Sequence, residues 1–261
     1  VDRTLKAIAR GQNRLLLTMA TGTGKTYTAF QTVYRLTKSG QKNKVLYLAD
    51  RNILVDQSIE QDFSPLKKII HKINYSKDRD NEITSYEIYF ALYQQLIGDN
   101  GEKRYAELFR PGFFDLIIVD ECHRGSAKAD SQWREILEYF SSAAQLGMTA
   151  TPKETKYVSN INYFGQPIYK YSLNEGIQDG FLAPFKVIEP RLNISDGWRP
   201  NKGQKDISGN EIEDREYNNS DYDYNIVLLD RVRAVAEEIT HYLKQSDRMQ
   251  KTIVFCANED A

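Results

Sequence analysis

The sequence predicts a doubly wound α/β fold, a parallel sheet with helices on both faces and a phosphate-binding loop at the end of its first strand. Three observations predict it. Apolar, β-branched runs alternate with helical patterns from Arg14 to Thr149, as strands buried on both faces alternate with crossover helices. Residues 20–26 read ATGTGKT between one such run and one such pattern. Asp120 and Glu121 close the apolar run 113–119, and carboxylates at the carboxyl ends of strands in open α/β sheets face the ligand crevice.

The elements follow in order. Strands are expected at residues 14–19, 44–49, 68–73, 87–92, 114–119 and 144–149, with helices at 26–38, 52–63, 94–97, 103–109 and 132–140. After the first strand, Gly22 and Gly24 let the loop Thr21, Gly22, Thr23, Gly24 turn its N–H groups onto a polyphosphate at the positive end of a helix dipole. Lys25 supplies a point charge and Thr26 a hydroxyl for Mg²⁺. Met19 stands where the general phosphate-loop pattern has Gly, so the match is to the narrower Ala-x-x-Gly-x-Gly-Lys-Thr form of nucleic-acid motors. In Asp120-Glu121-Cys122-His123, Asp120 suits Mg²⁺, usually through water, and Glu121 is placed to orient and deprotonate an attacking water. Cys122 reads as a small buried filler.

Beyond Pro152 the pattern is irregular until residues 167–172. Residues 193–225 are rich in Asp, Asn, Gly and Tyr and read as a long loop or linker. Residues 226–243 carry Val227, Leu228, Val232, Val235, Ile239 and Leu243 at helical spacing, and residues 251–256 read as a buried strand. The expected organisation is therefore a first lobe with its connecting segment over 1–192, a linker over 193–225 and the beginning of a second lobe over 226–261.

Composition sets the bounds. The 261 residues hold 35 Lys plus Arg against 36 Asp plus Glu, a net charge of -1, so any nucleic-acid grip must come from local placement and not from a global positive field. Two cysteines, Cys122 and Cys256, have no metal or redox spacing. A reducing, cytoplasmic setting is expected. No leader or apolar span of membrane length is evident, and the start at Val1 suggests that upstream sequence is missing.

The phosphate loop, DECH (120–123) and GMTATP (147–152) stand in the order and spacing of superfamily two helicases and translocases. More narrowly, LADRNILVDQ (48–57), DECHRG (120–125), SLNEGIQDGFLAPF (172–185) and KTIVFC (251–256) resemble the motor subunit of type I restriction–modification enzymes over nearly the whole chain. The resemblance implies a RecA-like P-loop NTPase lobe followed by the start of a second RecA-like lobe. It implies ATP and Mg²⁺ as cofactors, and an ATP hydrolase that translocates double-stranded DNA ahead of cleavage by a nuclease domain outside this chain. Partners would be DNA and the methyltransferase and specificity subunits. An arginine finger would come from the distal part of the second lobe, so the fragment alone is expected to be nearly inactive. Two alternatives stay open: another superfamily two DNA or RNA motor, such as a type III restriction or repair helicase, and a nucleotide-switched binding module. Glu121 beside Asp120 argues against the switch, which needs no catalytic base.

The resemblance also distributes roles outside the nucleotide site. LADRNILVDQ leaves a strand and enters a helix, so Asp50 or Asn52 is expected to cap it, with Arg51 and Asn52 against a DNA phosphate. Tyr93 and Gln94 align with a DNA-contacting Thr-Tyr-Gln, with Leu92 in place of the Thr. His123, Thr149 and Thr151 are expected to couple the nucleotide side to the DNA side. Ser172 and Glu175 have capping-box spacing and Gly180 can end the short helix, a segment expected to steer the chain toward the second lobe without chemistry of its own. Glu154-Thr155-Lys156 has the Glu-x-Lys spacing of a nuclease motif but lacks an acidic strand partner, and it reads as a solvated loop.

Overall fold

The computed structural model describes residues 1–49, 51–79, 83–98, 101–122, 127–150, 160–188, 198–205, 209–217 and 229–255. The chain divides into two compact units, Val1–Pro184 and Phe185–Ala261.

In the first unit, strands β1 (Arg14–Met19), β2 (Val45–Ala49), β3 (Ile70–Lys72), β4 (Ile88–Leu92), β5 (Leu116–Val119), β6 (Ala144–Thr149) and β7 (Tyr169–Tyr171) form one sheet in the order β3-β4-β2-β5-β6-β1-β7. Every pairing is parallel. Helices α1 (Asp2–Ala9), α2 (Lys25–Lys38), α3 (Asn52–Glu60), α4 (Tyr75–Asp78), α5 (Tyr93–Leu96), α6 (Arg104–Leu108), α7 (Ala127–Tyr139), α8 (Asn160–Phe164) and α9 (Leu173–Gln178) complete the unit.

Successive side chains of a strand point to opposite faces, and the core divides accordingly. Leu16, Leu46 and Ile117 join Trp133, Phe140 and Phe164 on one face. Leu15, Leu17, Tyr47 and Ile118 join Phe30, Val33 and Phe63 on the other. The strands are apolar throughout because both faces are covered. Parallel pairing also brings all their carboxyl ends to one edge.

Several expectations needed correction. The strand expected at 68–73 is confined to Ile70–Lys72, because Ser64–Ile69 forms a 3₁₀ turn that Pro65 favours at its start. Helix α7 begins at Ala127, ahead of the expected 132, since its first turn reads AKAD and carries no apolar signal. Helices α1, α4 and α8 were not foreseen. Phe164 of α8 packs against β6, where a Cβ on Gly147 would lie 2.7 Å from its ring.

In the second unit, Trp198 pairs antiparallel with Tyr217 and Lys205 with Glu211. Arg199 binds Asp214 at 2.6 Å, so these described parts of the expected linker carry structure of their own. Helix α10 (Leu229–Gln245) matches the amphipathic pattern. Residues 251–255, read as a buried strand, form none, and Ile253, Val254 and Phe255 are exposed. A strand is stable only when a neighbour accepts its ladder, and none pairs with these residues among those described.

Candidate functional site

The loop after β1 takes the conformation its glycines permit. Gly22 has φ 82° and Gly24 φ 85°, a left-handed region that costs other residues about 1–2 kcal/mol. The Thr23 hydroxyl donates to the Ala20 carbonyl at 2.6 Å and closes the turn. Gly24 is the N-cap of α2 and accepts from the Thr28 N–H at 2.9 Å, with no side chain capping the helix. Amides of an uncapped first turn are free to bind an anion. Lys25, the next residue, is buried. Its Nζ donates to the Met19 carbonyl at 3.3 Å and lies 3.3 Å from Glu121 Oε1.

Strand β5 delivers the acidic residues, separated from β1 only by β6. The Asp120 N–H donates to the Leu48 carbonyl and the Cys122 N–H to the Met148 carbonyl, so both neighbouring strands pin the turn between them. Glu121, with φ 48°, is the only described non-glycine residue at positive φ, the kind of outlier that persists where surrounding structure over-determines it. Asp120 is buried; its Oδ1 accepts from the Glu121 N–H at 2.9 Å and its Oδ2 from the Tyr47 hydroxyl at 2.7 Å. Burial raises the Asp120 carboxyl above its ordinary value, the Tyr47 hydrogen bond opposes that rise, and the Glu121 charge adds to it. Tyr47 is itself pushed far above the ordinary phenol value by burial and then by the Asp120 charge, so its hydroxyl stays protonated.

Lys25, Thr26, Asp120 and Glu121 thus converge as the sequence reading expected, and Tyr47 was missed. A signal for it existed, since a lone phenol in the aliphatic strand VLYLA needs a partner for its buried hydroxyl. The donor set suits Mg²⁺, which takes few protein ligands and completes its shell with phosphates and water. No cluster of three or more His, Cys, Asp or Glu competes for metal among the described residues.

The other candidates spread along the same edge. Arg51 is the N-cap of α3 and makes no side-chain cap, and Asn52 is the first helical residue, so Asn52 does not cap the helix as expected; Asp50 lies outside the described residues. Arg51 and Asn52 are exposed. Tyr93 belongs to the core while Gln94 is exposed. Thr149 is fully buried at the end of β6, between the strand bearing Asp120 and the strand bearing the phosphate loop. His123, Thr151 and the Glu154-Thr155-Lys156 triplet lie outside the described residues.

The segment after β7 packs against the phosphate loop. Ser172 and Glu175 form both bonds of a capping box, and Gly180 turns at φ 76°. The Ala20 N–H donates to the Tyr171 carbonyl at 2.9 Å. Leu182 packs so closely on the phosphate loop that a Cβ on Gly22 would lie 3.2 Å from it.

Fold and site together define a RecA-like phosphate-loop lobe of the helicase type. The family model described as "Type III restriction enzyme, res subunit" matches residues 1–154, and the chain belongs to that family. It is 53% identical over all its 261 residues to the type I restriction enzyme EcoAI endonuclease subunit of Escherichia coli, covering 32% of that protein. It is 31% identical to the EcoKI endonuclease subunit of Escherichia coli K12, over 96% of this chain and 23% of that one. A solved fragment of an HsdR subunit of a type I restriction enzyme from Vibrio vulnificus YJ016 superposes with a TM-score of 0.62 at 35% identity, covering 97% of this chain and 40% of that one. The Type ISP enzyme LlaGI shares the fold, with a TM-score of 0.52 at 21% identity over 69% of this chain and 20% of that one. These findings bear out the resemblance to type I motor subunits, of whose length the chain spans a third or less.

Proposed function

We propose that this chain is the ATP-dependent double-stranded DNA translocase core of a type I restriction enzyme, acting with methyltransferase and specificity subunits. The observation that supports it most directly is the convergence of Lys25, Thr26, Asp120 and Glu121 at one sheet edge, with Lys25 Nζ 3.3 Å from Glu121 Oε1. In this reading the Gly22–Gly24 amides and Lys25 bind the ATP phosphates, and Thr26 and Asp120 hold Mg²⁺. Bound Mg²⁺ supplies charge neutralisation on the phosphates. Lys25 would turn from Glu121 to the phosphates, and the Glu121 carboxylate would accept the proton of the attacking water. Arg51, Asn52, Tyr93 and Gln94 lie toward DNA, with Tyr93 acting through packing since its ring is buried. His123, Thr149 and Thr151 carry the coupling. Among the described residues no helix is long and apolar enough to cross a membrane, in keeping with a cytoplasmic enzyme.

The test is ATPase and triplex displacement by the full-length protein with long duplex DNA, single strands and RNA. Duplex should stimulate most, and Thr149→Ala with Thr151→Ala should slow displacement more than it weakens ATP binding. Equal stimulation by RNA would favour a helicase of another class, and unimpaired displacement by the double variant would remove the coupling role.

A further inference from the structure

Tyr47 stands on β2, a strand that carries no phosphate-binding or acidic motif, yet its hydroxyl reaches the acidic turn after β5. It donates to Asp120 Oδ2 at 2.7 Å, while Asp120 Oδ1 accepts from the Glu121 N–H at 2.9 Å. A phenol has one O–H to give and two lone pairs to accept with. An ionised carboxylate only accepts, so the Tyr47 proton goes to Asp120. With one oxygen tied to the phenol and the other to a backbone N–H, the carboxylate is held in one orientation.

The ring cannot readily swing away. It stacks on Phe90 at 4.7 Å between centroids and meets Phe63 edge-on at 5.8 Å. Tyr47 is 1% and Asp120 9% exposed, so water competes little for this bond. Filling space between Phe63 and Phe90 would need only the ring of a phenylalanine.

We propose that Tyr47 is a positioning residue that fixes the Asp120 carboxylate for a divalent cation. This rests on the ATP–Mg²⁺ reading above. Hydrogen-bond partners of metal ligands commonly change metal affinity by about 10–100-fold when removed.

The experiment uses the full-length protein and Mn²⁺ as the probe, titrated by electron paramagnetic resonance with a non-hydrolysable ATP analogue present. Binding of the same analogue in EDTA is measured alongside. Tyr47→Phe should keep the ring, the circular dichroism spectrum and the metal-free analogue affinity while weakening Mn²⁺ binding about 10-fold or more. Parent-like Mn²⁺ affinity in Tyr47→Phe would overturn the positioning role and leave the nucleotide site standing. A parent protein that shows no analogue-dependent Mn²⁺ binding would sink the ATP–Mg²⁺ reading, and this inference with it.

Discussion

Lys25 and Glu121 face each other at 3.3 Å with side chains only 9% and 13% exposed. Shielded charges of this kind are tolerated as a pair, and removing one leaves the other poorly solvated, at a cost of up to about 3 kcal/mol for a site with some solvent access. Lys25→Ala should therefore lose stability as well as ATP affinity, and adding Glu121→Gln should recover most of the stability and none of the ATP binding. Denaturant melts of the four proteins check this; strictly additive losses would show that the pair is not coupled. Asp120 makes a different prediction. Burial raises its pKa above the ordinary 3.8, so the native state holds that proton more tightly than the unfolded chain does. Stability then falls as pH rises from the ordinary value through the raised one, and the cost disappears below that window. Asp120→Asn should gain on the parent across the window and level off above it. A difference that stays constant with pH would contradict the assignment.

At the scale of elements, the phosphate loop and its supports depend on positions where a side chain has no place. A Cβ on Gly24 would meet nothing within 4 Å, yet φ is 85° there, so Gly24→Ala should cost about 1–2 kcal/mol through backbone strain alone. At Gly147 the obstacle is the Phe164 ring, and Gly147→Ala should cost about 1–3 kcal/mol through overpacking. Phe164→Leu should relieve the second loss and not the first, which thermal melts of the paired variants would reveal. Strands β1, β2, β4, β5 and β6 were legible in the sequence because each is an apolar run buried on both faces. Helix α8 is a short piece, NINYF, whose reason to be helical is its packing on β6, a contact between distant residues. The same limit explains Tyr47. Its role depends on β2 lying beside β5, where Tyr47 pairs with Ile118 two residues before Asp120, and no local pattern encodes that adjacency. Residues 251–255 fail in the opposite sense: their apolar composition read as a strand, but composition supplies no pairing partner.

On the scale of the molecule, every parallel strand ends at one edge, and the groups proposed to bind phosphate, hold metal and activate water are gathered there by topology. Leu182 on the phosphate loop and the Tyr171 carbonyl bound to the Ala20 N–H bring the segment after β7 to the same edge. The central claim is that this edge hydrolyses ATP to drive DNA movement, with Glu121 as the group that activates water. Steady-state ATPase with duplex DNA, measured on the full-length parent and on Glu121→Gln beside an ATP-binding assay, tests it most directly. The account predicts duplex-stimulated turnover in the parent, and in the variant retained ATP binding with hydrolysis lowered by on the order of 10² or more. Turnover by Glu121→Gln at the parent rate would contradict it.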